Sequence, residues 1–191
     1  GVGMYPGNAA RAIAQGVREA NQRLAAQPQH GWPVVTRLTL VELYLERASD
    51  AWHGLTDLDA ILVTHLHPDH ADPKHLPELV AANPDAKVWV EPGVLNAVDL
   101  GGRGKGLAAD TSVSLGSLTI AAVGGTHAII HRDIPLIGNV GLVLSAEGEP
   151  TFFHPGDSLA TVPAGIDVVA VPAMGPWAAM KETVDFVRDV D

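Results

Sequence analysis

Cysteine is absent from this 191-residue chain, which excludes disulfides, thiolate metal ligands and a cysteine nucleophile. Basic residues are scarce. Twelve Lys and Arg stand against 22 Asp and Glu, a net charge of −10, and no basic run occurs. That balance argues against nucleic acid or an anionic membrane surface as a partner. No apolar stretch reaches the roughly 18 residues of a membrane span, and no charged-then-apolar leader is visible, so a cytoplasmic protein is expected. Aromatics are only 5% of residues. The core that a 47% hydrophobic composition permits must therefore be packed from Val, Leu, Ile and Ala.

The histidines are unevenly placed. Thr64-His65-Leu66-His67-Pro68-Asp69-His70 follows directly on the apolar run Ala60-Ile61-Leu62-Val63. A strand opening into a short loop turns alternate side chains toward one point. His65 and His67 can therefore share one metal while Asp69 and His70 reach a neighbouring one. Imidazole and carboxylate ligands suit zinc, iron or manganese. The alternative is a solvated, His-rich loop without metal. Two further polar residues follow apolar runs: His127 after Leu118–Val123 and Gly124-Gly125-Thr126, and Asp157 after Phe152-Phe153-His154-Pro155-Gly156. His127 could complete a three-histidine set, and Asp157 could bridge two metals through its two oxygens.

The rest of the chain reads as alternating helices and strands. A helix is expected over 8–26, capped by Asn8 and stopped by Pro28, and a strand over 34–40, with 41–52 open between helix and strand. Residues 1–31 are expected to be an N-terminal helical extension to a domain over 32–191. After the buried strand at 60–64, Asp72 caps a helix with Pro73 at its first position, ended by Asn83-Pro84. A strand over 87–91 and a short helix over 92–100 follow. Gly101-Gly102-Arg103-Gly104-Lys105-Gly106 fails as a phosphate loop, since no Ser or Thr follows the lysine and no apolar strand leads in; it reads as a flexible connection. Strand pairs are expected at 112–115 with 118–123 and at 140–145 with 151–154, then a buried strand at 167–171. A helix over 178–190 would carry Met180, Val184 and Val187 on one side. This order suits an α/β chain of α+β type, with two sheets face to face and helices outside. His30, His53 and His75 read as ordinary surface residues, and His154 as a hydrogen-bond partner behind the ligands.

Thr64–His70, Gly-Gly-Thr-His127 and His-Pro-Gly-Asp157-Ser together resemble the metallo-β-lactamase superfamily, over about residues 58–190. The wording Gly-Gly-Thr-His-Ala-Ile-Ile-His-Arg-Asp-Ile-Pro, then Asn139-Val140-Gly141 and Pro176-Trp177, is similar to a bacterial branch near the ascorbate-6-phosphate lactonases. The resemblance implies an αββα sandwich and a metal-dependent hydrolase. His65, His67 and His127 would hold a first metal, Asp69 and His70 a second, and Asp157 would bridge them. Zinc is the expected cofactor, one or two per chain, with manganese or iron as alternatives. A hydroxide activated by the metals would attack an ester, lactone or phosphoester. Asp69 would orient it, and His131, one turn beyond His127 if that segment coils, would be an acid for the leaving group.

Two family features are missing from this sequence: a Gly-His-Ser-like segment with an Asp-Pro turn before the metal strand, and a final ligand histidine after the last helix. The second metal is therefore expected to bind more weakly. Exposed sheet edges would favour a homodimer or higher oligomer. The other readings are a non-catalytic metal-binding remnant, a β-lactam hydrolase, or a di-iron redox enzyme.

Overall fold

The run Ala60–Val63 forms a strand, β1, whose side chains alternate between two surroundings. Ile61 and Val63 face one apolar cluster, and Ala60 and Leu62 another. The same split holds in β2 (Lys87–Val90), where Val88 and Val90 join Ile61 while Trp89 joins Ala60. Both strands are thus covered on both faces, as parallel sheets require. In the computed structural model, which describes residues 52–172, 175 and 177–190, β1 pairs in parallel with β2, and β2 with β3 (Gly104–Gly106).

A second sheet of five strands faces the first. Its order is β4 (Thr111–Leu115), β5 (Leu118–Gly124), β6 (Val140–Ser145), β7 (Phe152–His154) and β8 (Val168–Val169). All neighbours are antiparallel except β7 and β8. Leu118, Ile120, Val140, Leu142 and Leu144 project toward Ala60 and Trp89, forming the layer between the sheets. The outer face of the first sheet packs on helices α1 (His75–Ala82) and α2 (Val94–Ala97) through Leu76, Leu79, Val80 and Val94. The far face of the second sheet places Phe153 against Phe186 of α3 (Met180–Asp189), ring centroids 6.3 Å apart. The resulting layers are helix, sheet, sheet, helix: the expected αββα sandwich.

Several local expectations are corrected. Residues 101–106 are not a loose connection. Arg103 forks onto the carbonyls of Val80, Asn83 and Ala86 at 2.8, 2.9 and 2.7 Å, and the following glycines form the edge strand β3. The expected buried strand at 167–171 shrinks to two residues, with Val168 exposed and Val169 half-buried. The helix at the C-terminal end turns differently. Thr183 and Phe186 face inward, while Met180, Val184 and Val187 are exposed. The helix expected over 92–100 is a single turn, and that expected from Pro73 begins at His75. Asp72 still caps it, accepting from the backbone N–H of Lys74 and His75 at 2.8 and 3.0 Å. The expected 8–26 helix and 34–40 strand lie outside the described residues.

Candidate metal centre

The two sheets touch at the end of β1, and the histidines lie there. The N–H of Val140 donates to the Thr64 carbonyl at 2.9 Å, and His65 forms an antiparallel bridge with Asn139. His65 is thereby fixed with no exposed surface. A tight turn, in which the N–H groups of His70 and Ala71 donate to the His67 carbonyl at 2.9 and 2.7 Å, folds His70 back. Its ring centroid lies 3.9 Å from that of His65. His127 arrives from the end of β5, tied down where its own N–H donates to the Ile137 carbonyl at 3.1 Å. Asp157 arrives from the end of β7.

Asn139 joins these pieces. Its side-chain N–H donates to the Pro155 carbonyl at 3.0 Å, and its oxygen accepts from the Asp157 N–H at 2.9 Å. Gly156, with φ of 62°, lets the chain pass this amide; a Cβ there would run into the Asn139 oxygen. The indole N–H of Trp177 donates to Asp157 Oδ2 at 2.9 Å. At the end of β2 the buried Glu91 accepts from the Gly93 N–H at 2.8 Å and lies against Gly138, where any Cβ would collide with its carboxylate. Burial pushes the Glu91 carboxyl up, against the pull of its backbone donors at Gly93 and Val94.

His65, His67, His127 and Asp157 bring one ligand atom each within 4.8 Å of one another. Asp157 Oδ2 lies 3.5 Å from His127 Nε2 and 3.9 Å from His65 Nε2, while its Oδ1 lies 3.5 Å from His70 Nε2. Those separations exceed ordinary hydrogen bonds. They are near the ~3.3 Å between two ligands of a tetrahedral ion bound at ~2.0–2.1 Å.

The tautomers make the same point. His127 Nδ1 donates to the Ala128 carbonyl at 2.6 Å, so in the neutral ring Nε2 carries a lone pair and faces a carboxylate oxygen. Nε2 atoms of His65 and His127 are buried without a hydrogen bond among the described residues. A second proton does not suit His65. Burial, then the neighbouring His70, His127 and His67, pushes its pKa down to about 2, against the pull of Asp157. Burial and His127 also lower His67. Burial opposes ionisation of Asp157, yet His127, His70, His65 and the Trp177 N–H outweigh it and hold the carboxyl below its ordinary range. The imidazoles of His65 and His67, held neutral beside an ionised carboxylate, suit a divalent cation.

The structure thus brings together His65, His67, His127, His70 and Asp157. Asp69 stands at the open side, Oδ2 3.6 Å from His70 Nε2. The segment after His127 does not coil, so His131 is not one turn away. It lies exposed on the 128–137 loop, lining a cavity that His67 and His127 also line. Its Nδ1 accepts from the Asp133 N–H at 3.2 Å. His154 Nδ1 accepts from the Gly156 N–H at 3.0 Å, bracing the turn into Asp157. His53 and His75 do not stand alone as expected. Their rings stack at 3.8 Å beside Trp52, and His75 Nδ1 lies 2.7 Å from the capping Asp72. Asn139, Trp177 and Thr64, whose hydroxyl lies 3.0 Å from His65 Nδ1, stand in the motifs that carry the family resemblance, but the sequence did not show what they hold in place.

Four layers with a His/Asp cluster where strand ends meet define the metallo-β-lactamase fold. The family model of the Beta-lactamase superfamily domain matches residues 33–177, and the chain belongs to that family. It is 41% identical over 143 residues to Protein Rv0786c of Mycobacterium tuberculosis, covering 74% of this chain and 66% of that protein. Its fold is similar to that of a protein of Parabacteroides distasonis described as a candidate metal-dependent hydrolase. That likeness has a TM-score of 0.59 and 24% identity, over 74% of this chain and 65% of the other. The chain spans about two thirds of the length of both relatives. Among the described residues, no helix is long and apolar enough to cross a membrane.

Proposed function

We propose that this chain is a metal-dependent hydrolase acting on esters, lactones or phosphoesters. The carrying observation is that the two oxygens of Asp157 face different imidazoles, Oδ2 toward His127 and His65 and Oδ1 toward His70. That arrangement fits a carboxylate shared by two cations. His65, His67 and His127 would hold one, His70 and Asp69 the other. Zinc is preferred, with manganese or iron compatible with the same ligands. A bound divalent cation would supply Lewis acidity and an acidified water for attack on the carbonyl or phosphoryl group.

The chain's own groups do the rest. Trp177 and Asn139 hold Asp157 in place from the side chain and the backbone. Asp69, at the open side, accepts a hydrogen bond from the attacking water and orients it. Because His131 Nδ1 accepts the Asp133 N–H, the neutral ring keeps its proton on Nε2, where it can pass to a departing oxygen. In the zinc-loaded protein, His67→Ala should lower bound metal and abolish turnover on a panel of activated esters and phosphoesters. Undiminished turnover would contradict the assignment. His131→Ala should keep its metal and slow only substrates with poor leaving groups.

A further inference from the structure

The proposed centre opens on two sides of unlike chemistry. On one side, a cavity of about 480 Å³ is lined by His67, His127 and the 128–137 loop. Isoleucine, leucine and proline are six of that loop's ten residues, and Ile129, Ile134 and Leu136 are 72%, 47% and 59% exposed. Isolated exposed aliphatics mean little. Three on one concave wall beside candidate metal ligands have the composition of a binding pocket. The wall is anchored to the centre. Ala128 N–H donates to the Asp157 carbonyl at 2.8 Å, His127 N–H to Ile137, and Ile134 N–H to His131 at 3.0 Å within the loop. Its volume suits a small molecule rather than a macromolecule.

On the other side, a cavity of about 510 Å³ shares His127 and Ile129 but is also lined by Trp177 and the α3 carboxylates Glu182, Asp185 and Asp189. Among the described residues, Arg132 is the one cation lining either cavity, and its Nε lies 3.8 Å from the Asp133 carboxylate. An acid-lined exit and a single exposed arginine are not the cluster of cations that recruits a phosphate.

We infer that the 128–137 loop is an acyl-binding wall and that the substrate is a neutral carboxylic ester or lactone carrying an aliphatic chain. This rests on the hydrolase reading and narrows it. In the reaction, water oxygen bonds to the acyl carbon, the acyl C–O bond breaks, and the departing alkoxide takes a proton. The products are a carboxylic acid and an alcohol (one hydroxy acid from a lactone). The chain, seated against Ile129, Ile134 and Leu136, supplies binding.

The test compares p-nitrophenyl acetate and octanoate on the zinc-loaded full chain, wild type and Ile129→Ser/Leu136→Ser. Wild-type kcat/KM should favour octanoate by about tenfold or more, given the roughly fourfold that each fully buried methylene can give. The double variant should flatten that ratio. A flat wild-type ratio, an unchanged ratio in the variant, or faster turnover of bis-p-nitrophenyl phosphate than of octanoate would overturn the inference. If neither the carboxylic esters nor bis-p-nitrophenyl phosphate is hydrolysed, the hydrolase reading fails, and the wall is judged by calorimetric titration with octanamide and acetamide. Tighter octanamide binding, lost in the variant, supports the wall; equal affinities or no binding overturn it.

Discussion

The candidate ligand residues are held by hydrogen bonds that reach far along the chain. Trp177 donates to Asp157 from 20 residues away, leaving the other lone pair of Oδ2 for a cation. Trp177→Phe keeps the ring and removes the donor. Zinc affinity in competition with a chromophoric chelator should fall about 10- to 100-fold, the usual cost of losing such a partner, with little change in melting temperature. An unchanged affinity would show that the indole only fills space. The clustering of the candidate ligands His65, His67 and His70 was legible because three histidines and an aspartate crowd into six residues after a buried strand. Asn139 and Trp177 were not, since their meaning lies in pairings 16 to 20 residues distant. His53 is exposed as expected, but its ring stack with His75, 22 residues on, was not legible for the same reason.

Among the elements, α3 gives the sharpest contrast. Its buried face is Thr183 and Phe186, not the Met180, Val184 and Val187 stripe that apolar spacing alone suggests. Phe186→Ala should cost about 3 kcal/mol in urea unfolding, and Val184→Ala within about 0.5 kcal/mol of nothing. The reverse order would refute the orientation. Spacing misled here because Phe186 seats on Phe153 of another sheet, which sequence periodicity does not register. Arg103 ties two elements together. Its three bonds close the carboxyl end of α1 and fix the start of β3, so Arg103→Ala should destabilise by about 2 kcal/mol while zinc content stays that of wild type. Strands β1, β2, β5 and β6 were readable within a residue or so because each alternates or is buried throughout. Strand β3, Gly-Lys-Gly, has no apolar signature, and only its neighbours make it a strand.

For the whole molecule, the layers follow from alternation: strands with two apolar faces must lie between other layers. What no pattern shows is that the sheets join at His65 and Asn139, so that His65 is buried where the two sheets meet. Acid should therefore unfold the metal-free protein. His65 titrates at about 2 in the folded chain against 6.5 ordinarily, so the unfolded state binds the extra proton between those values. Stability is full above about 6.5 and is lost as pH falls below it, with a slope approaching ~1.4 kcal/mol per pH unit from this residue alone. Chemical denaturation of EDTA-treated protein from pH 7.5 to 4.5 checks it; a flat profile would contradict a buried neutral His65. A cation-binding centre built on Asp157 sets the metal content that elemental mass spectrometry should find in zinc-loaded protein from a calibrated sizing column. About two zinc ions per chain, reduced in Asp157→Ala, is the predicted result. No retained metal in the folded wild-type protein would contradict it.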